Sequence, residues 1–305
     1  MLNPEYVCIG TLMLDDISYP MRAEAPATLG GSAVHAAVGM RVWTDSIGIV
    51  ARGSDALPHE QATQLREYDF DLRGLTHDLA EPARAWQRFD ADEQRHETFQ
   101  FPLMAQGDLL VSPTDVPEAY LSARAVHLLV GTVEHHFALV EHHHANNMDP
   151  LVLIEPYYDP IERVPRDRLE QLLERIDAFA PDFNEARAMC GTDDVPSILK
   201  HLGRAGPIVI VRMGKRGAVV YDPHTATTVE VPAISRHVVD VTGAGNAFCG
   251  GWLVGYTAAR DLRRAACQGA VSASFAVEQL GPARVSAFGF AERDARLRHA
   301  CQLLT

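Results

Sequence analysis

The residues best suited to chemistry in this 305-residue sequence lie in His237–Tyr256, HVVDVTGAGNAFCGGWLVGY. The apolar pair Val238-Val239 reads as the end of a strand or an extended arm. Asp240, Thr242 and Gly243-Ala244-Gly245 then lead into helical character from Asn246 to about Ala259. Small residues ahead of a helix let the chain turn sharply and leave the first N–H groups pointing outward. The helix dipole adds positive charge there, so such an end binds anions. Gly250, Gly251 and Gly255 would be costly in a solvated helix and predict one pressed against its neighbours. A glycine-rich loop that merely turns a corner fits the same glycines. A dinucleotide fingerprint fits less well, because glycines at 243, 245 and 250 miss the GxGxxG spacing and come late in the chain.

Other polar residues with chemical capacity are spread along the chain. Asp15 follows the short apolar run Tyr6–Gly10, and Gly30-Gly31 opens a helix of small residues that carries His35 and runs to about Val42. The segment Ala180–Ala186, APDFNEA, contains Asp182 and Glu185; Asp182 or Asn184 could simply cap a helix Glu185–Cys190. The strand ending at Arg212 runs into Gly214-Lys215-Arg216-Gly217, whose glycines permit close approach to a ligand and whose basic residues add local positive charge. Histidines 135, 136, 142, 143 and 144 invite a zinc reading. Adjacent histidines on one helix point different ways and no partner Cys or HExxH spacing accompanies them, so a solvated face is expected.

Positioning these groups takes a sheet. Ser46–Val50, Val126–Val130, Leu151–Glu155 and Ile208–Arg212 are apolar runs separated by helical stretches, which implies βαβ units and a parallel sheet covered on both faces. Ala85–Phe89 and Glu97–Phe101 flank a polar turn, Asp92–Arg95, and read as a hairpin. The length suits one α/β domain over 1–305, with no second globular unit. The net charge of −13, without a Lys/Arg block, argues against nucleic acid as a partner, although a local positive pocket can still bind a nucleotide. Five scattered cysteines without CxxC fit a reducing compartment. With no apolar run of membrane-spanning length and no signal-peptide core, these features predict a cytoplasmic protein without membrane contact.

The stretch DVTGAGNAF closely resembles the D-T-x-G-A-G-D signature of the PfkB (ribokinase-like) family of sugar and nucleoside kinases. Further motifs follow in family order from Gly10 to Gly281, covering nearly the whole chain. The resemblance implies an α/β fold, a three-layer α/β/α sandwich with a mostly parallel central sheet and a small β lid from segments near 11–28 and 84–102. It implies ATP-dependent phosphotransfer to a hydroxyl of a sugar, nucleoside or similar polyol, with Mg2+ and, in many members, K+. Gly243, Ala244 and Gly245 match the anion hole for the phosphoryl group, and position 246 the catalytic base. Asp15, Gly30, Gly31 and His35 match the acceptor-binding positions. Asp182, Arg212, Gly214, Lys215, Gly217, Thr242 and Gly245 fall at ATP-binding places. Glu185 matches the residue that acts on magnesium through water, and Asp240 and Gly281 match parts of the potassium site. A lid of this kind also often makes a homodimer contact.

Three polar positions differ from the family pattern together: His35 for Asn, Asp182 for Asn and Asn246 for Asp. An amide at 246 cannot take a proton at physiological pH, which forfeits general-base assistance of about 10²–10⁴-fold, or about 3–5 kcal/mol of barrier. Two readings therefore stand side by side: a kinase whose catalysis rests on positioning and charge, and a pseudokinase that binds nucleotide or sugar without useful turnover.

Overall fold

The computed structural model describes residues 2–20, 24–90, 95–100, 109–129, 131–146, 149–156, 166–235 and 237–304. The expected hairpin turn at 92–94, together with Phe101 and Val130, lies outside the described residues. Among the described residues the larger of two sheets has nine strands. In chain order these are β1 (Tyr6–Ile9), β4 (Ile47–Ala51), β5 (Asp71–Leu75), β8 (Ala125–Leu128), β9 (Leu151–Ile154), β10 (Ala178–Phe179), β11 (Ile208–Arg212), β12 (Ala218–Asp222) and β13 (Thr227–Val231). Spatially they run β13-β12-β11-β10-β9-β8-β1-β4-β5. From β5 to β11 every pairing is parallel, and β12 and β13 add antiparallel strands at one edge.

The central strands β1, β4, β8 and β9 are buried along their whole length, as parallel strands covered on both faces must be. Alternation along β1 sends Tyr6 and Cys8 to one apolar core and Val7 and Ile9 to the other. The first core is closed by α1 (Ser32–Arg41), α2 (His59–Glu67), α7 (Ala244–Ala259), α8 (Leu262–Ala276) and α9 (Phe290–Gln302). The second is closed by α3 (Val133–Ala145), α4 (Arg166–Leu173), α5 (Phe183–Cys190) and α6 (Val195–Gly203). The result is the three-layer α/β/α sandwich with a mostly parallel sheet.

Among the described residues the second sheet has four strands in the order β3-β2-β6-β7, built from β2 (Met13–Ser18), β3 (Ala25–Gly30), β6 (Arg84–Phe89) and β7 (Arg95–Phe99). Its small core consists of Met13, Leu79, Ala83, Ala85 and Leu109, with Phe99 packed against it. Along β6, Ala85, Gln87 and Phe89 face inward while Trp86 and Arg88 face out, so one face of this sheet is covered and the other exposed.

Helix α8 stops at Ala276, and the next carbonyl, that of Val277, accepts the Val239 and Asp240 N–H groups at 2.7 and 3.2 Å. Helix α3 differs from the sequence reading. Of the five histidines of α3, His144 is exposed and His135 and His142 are half-buried, whereas His136 and His143 are buried rather than part of a solvated face. They share an inner stripe with Phe137, Leu139 and Val140, since positions three, four and seven apart lie on one side of a helix. Burial pushes their imidazoles down to about 3 and about 4, so both are neutral. Among the described residues no group of three or more His, Cys, Asp or Glu is placed to hold a metal ion, and no helix is long and apolar enough to cross a membrane.

Helices α1 and α7 touch backbone to backbone. A Cβ on Gly250 would run into the Ala36 carbonyl, and one on Gly39 into Ala247. Gly250→Ala should therefore lower the unfolding free energy by about 1–3 kcal/mol. Gly289→Ala, where a Cβ meets nothing within 4 Å, should change it by less than about 0.5 kcal/mol. Urea titration of the two variants checks this, and equal midpoints would contradict the close contact.

Candidate active site

In an open parallel sheet the strands all end on one side, and ligands bind there. Glu155 directly follows β9, Arg212 ends β11, and Asp182 follows β10 and forms a bridge with Arg212. The N-terminus of α7 points into the same region. Its first turn starts at Ala244, two residues earlier than the sequence suggests, after Gly243 in a left-handed conformation (φ 73°). A side chain at 243 would be strained and would also strike the His35 imidazole, which is one turn into α1.

The Gly245 and Asn246 N–H groups fall in the part of a helix that has no intrahelical partners. Ala244 N–H donates instead to Val241 O at 3.2 Å. The Arg212 guanidinium lies against Gly245 so closely that a Cβ there would meet Nη1. A helix N-terminus and a nearly buried guanidinium are thus brought to one spot, and both favour an anion.

Beneath them is a charged cluster. Arg212 Nη1 pairs with Glu155 Oε2 at 2.7 Å, and its Nη2 lies 3.6 Å from Glu185 Oε2. Glu155 is completely enclosed. Its Oε1 takes the His127 Nε2–H at 2.5 Å, and its Oε2 also takes Asn246 Nδ2–H at 3.1 Å. Burial alone would raise this carboxyl, but Arg212 and the hydrogen bonds from His127 and Asn246 hold it at about 2. Glu185 shows the opposite balance. Burial, with Asp182 and Glu155 nearby, lifts its carboxyl to about 7 despite Arg212. Arg212 itself is raised by the surrounding carboxylates and stays charged.

On the second sheet, Asp15 is buried on β2, with Gln87 Nε2–H donating to its Oδ1 at 3.1 Å. Asp15 packs over Gly30, and Gly31 accepts the His35 N–H at 3.1 Å, which joins the second sheet to the start of α1. Tyr19 anchors that sheet to the loop before α7: its hydroxyl donates to Asp240 Oδ1 at 2.8 Å and accepts Val241 N–H at 3.0 Å. The same ring stacks on Phe89 of β6 at 4.2 Å. Thr242 Oγ1 is buried beside these groups with no hydrogen-bond partner among the described residues.

The structure thus gathers Gly243, Ala244, Gly245, Asn246, Thr242, His35, Asp182, Glu185 and Arg212 around the head of α7. Asp15, Gly30 and Gly31 stand on the side of the second sheet. Gly214, Lys215 and Gly217 form the tight turn after β11, with open space beside Gly214 and with Arg216 over the Phe183 ring. His127, Glu155, Gln87 and Tyr19 were not singled out by sequence. Glu155 left one signal, a carboxylate at the end of an otherwise apolar strand; His127, inside the run AVHL, left none.

The pfkB family carbohydrate kinase pattern matches residues 91–287. The chain belongs to the pfkB carbohydrate kinase family. It is 27% identical over 256 residues to a nucleoside kinase of Methanothermobacter thermautotrophicus, spanning 83% of this chain and 79% of that one. Identity to a cytidine kinase of Thermococcus kodakarensis is 30% over 148 residues, 48% of this chain, and the match spans 52%, about half, of that relative's length. A crystal structure of the Methanocaldococcus jannaschii nucleoside kinase, an archaeal member of the ribokinase family, superposes with a TM-score of 0.75 at 19% identity, covering 98% of this chain and 100% of the other. The fold is therefore ribokinase-like.

Two pfkB ion sites can be compared with the residues present. Magnesium is held mostly by phosphates and water and needs one or two carboxylates at hand. Glu185 fits, because a cation relieves a buried carboxyl whose charge its surroundings disfavour. Asp182 and Glu185 also cap α5 reciprocally, each side chain accepting the other's N–H, at 2.8 and 2.7 Å. Asp240 is different. Its carboxylate is met by the Tyr19 hydroxyl and by the Thr242 and Gly281 N–H groups. Two of these donors meet Oδ1 and one, the Gly281 N–H, meets Oδ2, so Oδ2 keeps a lone pair that a cation can take.

Glu185 gives the site a pH signature. Its folded value of about 7 exceeds the ordinary 4.5, so its contribution to stability is present below about 4.5 and is lost as pH rises through about 7. Between pH 5 and 8 the unaltered protein should lose about 2–3 kcal/mol of unfolding free energy relative to Glu185→Gln. Urea titrations at the two pH values measure the difference, and parallel pH profiles would contradict it.

Proposed function

We propose that the protein transfers the γ-phosphoryl group of ATP to a hydroxyl of a nucleoside or sugar. The observation that carries this reading is the convergence of the α7 N-terminus and the Arg212 guanidinium on one point at the C-terminal ends of the parallel strands. In phosphoryl transfer the protein contributes chiefly position and positive charge, and these two groups supply both. The nucleoside and cytidine kinases among the relatives favour a nucleoside acceptor.

In this reading the Gly243–Gly245 segment with Thr242 holds the phosphoryl group, and the orphan Thr242 hydroxyl gains a partner. Asp182, Arg212, Gly214, Lys215 and Gly217 line the path of the triphosphate. Asp15, Gly30, Gly31 and His35 face the acceptor, and Glu185 stands by the Mg2+ shell. When bound, magnesium neutralises charge on the phosphate oxygens. The acceptor oxygen bonds to the γ-phosphorus while the bond from that phosphorus to the β–γ bridging oxygen breaks. The hydroxyl proton leaves on an oxygen of the transferred phosphoryl group, since Asn246 cannot take it. The Tyr19 anchor holds the second sheet to the loop before α7 and in this reading limits water, which would otherwise compete as acceptor.

The pseudokinase reading has one observation in its favour, the amide at 246. It weighs less than the meeting of the α7 N-terminus with the Arg212 guanidinium, because in a loose transition state the base contributes less than charge and alignment. Incubating the protein with ATP, Mg2+ and a panel of nucleosides and sugars, with phosphorylated acceptor followed by mass spectrometry, tests the proposal. A phosphorylated nucleoside above the no-enzyme background is expected. Measurable ATP binding with no phosphorylated acceptor across the panel would overturn the kinase in favour of the pseudokinase.

A further inference from the structure

Asn246 is not an isolated loss of a carboxylate; it has a partner. Its Nδ2 lies 3.1 Å from Glu155 Oε2, and Glu155 is enclosed between His127 of β8, Arg212 of β11 and the first turns of α7, where Cys249 also faces it. Arg212 is shared with Glu185 of α5. An ionised carboxylate only accepts hydrogen bonds, so the amide edge turned toward Glu155 is the NH2 edge. The geminal Oδ1 is then turned away from Glu155.

We infer that Glu155 is the positioning residue of this site: it requires an amide at 246, holds its Nδ2, and turns Oδ1 out to accept a hydrogen bond from the substrate hydroxyl. The carboxylate that the family signature places at the head of the helix is, in this chain, one layer deeper, on the end of β9. An aspartate at 246 would face Glu155 across about 3 Å, a distance at which two carboxylates do not both ionise. Arg212 is already divided between Glu155 and Glu185 and does not relieve that conflict. The last part of the inference, orientation of the hydroxyl, rests on the kinase reading; the pairing of Glu155 with Asn246 does not.

Four proteins test it: the unaltered chain, Asn246→Asp, Glu155→Gln, and the double exchange, which again puts one amide beside one carboxylate. Thermal midpoints of all four are measured from pH 5 to pH 8, and kcat and KM with the best acceptor found. Each single exchange should lower the midpoint by about 4 °C or more. The Asn246→Asp deficit should widen as pH rises, because a carboxyl raised in the folded state destabilises once the solution pH exceeds its unfolded value. The double exchange should recover at least half of the summed loss and remove the added pH dependence. If Glu155→Gln does not fold alone, folding of the double variant is the same rescue. In turnover, each single exchange should cut kcat about tenfold or more with KM for ATP little changed, and the double should exceed both. Additive losses of midpoint in the double variant would overturn the pairing, as would Asn246→Asp matching the unaltered protein at every pH. The expected midpoints without turnover in any of the four would refute the kinase reading and the hydroxyl-orienting role while upholding the pairing.

Discussion

The site depends on the burial of one guanidinium between two carboxylates. Arg212 reaches from the end of β11 to Glu155 at the end of β9 and to Glu185 at the start of α5, under the N-terminus of α7. Enclosing these charges costs several kcal/mol per ion, and a hydrophobic cluster of the same volume would often hold the fold as well. What the ions supply is placement: a fixed positive group directly against Gly245, where the helix dipole already favours an anion. Gly245 and Gly243 lack side chains because Arg212 and His35 occupy the space a side chain would take.

The two sheets divide the work around that point. The parallel sheet brings the ends of β8, β9, β10 and β11 together, so that residues far apart in sequence share one cluster. The smaller sheet, with Asp15 buried in it, is tied through Tyr19 to Asp240 and Val241 just before α7. Asp240 spends its carboxylate on organising this junction, ordering the turn into α7 through Thr242 and Gly281 as well.

Much of this was legible in the sequence. All-apolar runs such as YVCI and LVLI announced buried parallel strands, and the glycines of α7 announced close helix packing. Asp182 was one of two cap candidates for α5, with Asn184, and the structure puts it in a capping box with Glu185. The rest was hidden for definite reasons. A stripe at helical spacing can be buried even when two of its members are histidines, as His136 and His143 are, because neutral imidazoles tolerate a core. His127 and Glu155 belong to different strands, and only the parallel register of β8 and β9 sets them side by side. Asn246 stood out against the family signature as a missing carboxylate, and sequence offered no means of seeing the carboxylate beneath it.

The ionisation of Glu155 is the claim on which this account turns. Carbon-13 NMR of protein labelled at the glutamate carboxyls, with the Glu155 resonance assigned by Glu155→Gln, measures it directly. With its carboxyl held at about 2, Glu155 should remain at the ionised chemical shift from neutral pH down to about pH 4, while exposed glutamates titrate. A Glu155 resonance that titrates above about pH 5 would show a protonated side chain, able to donate to the Asn246 carbonyl oxygen, and would contradict the arrangement of the site.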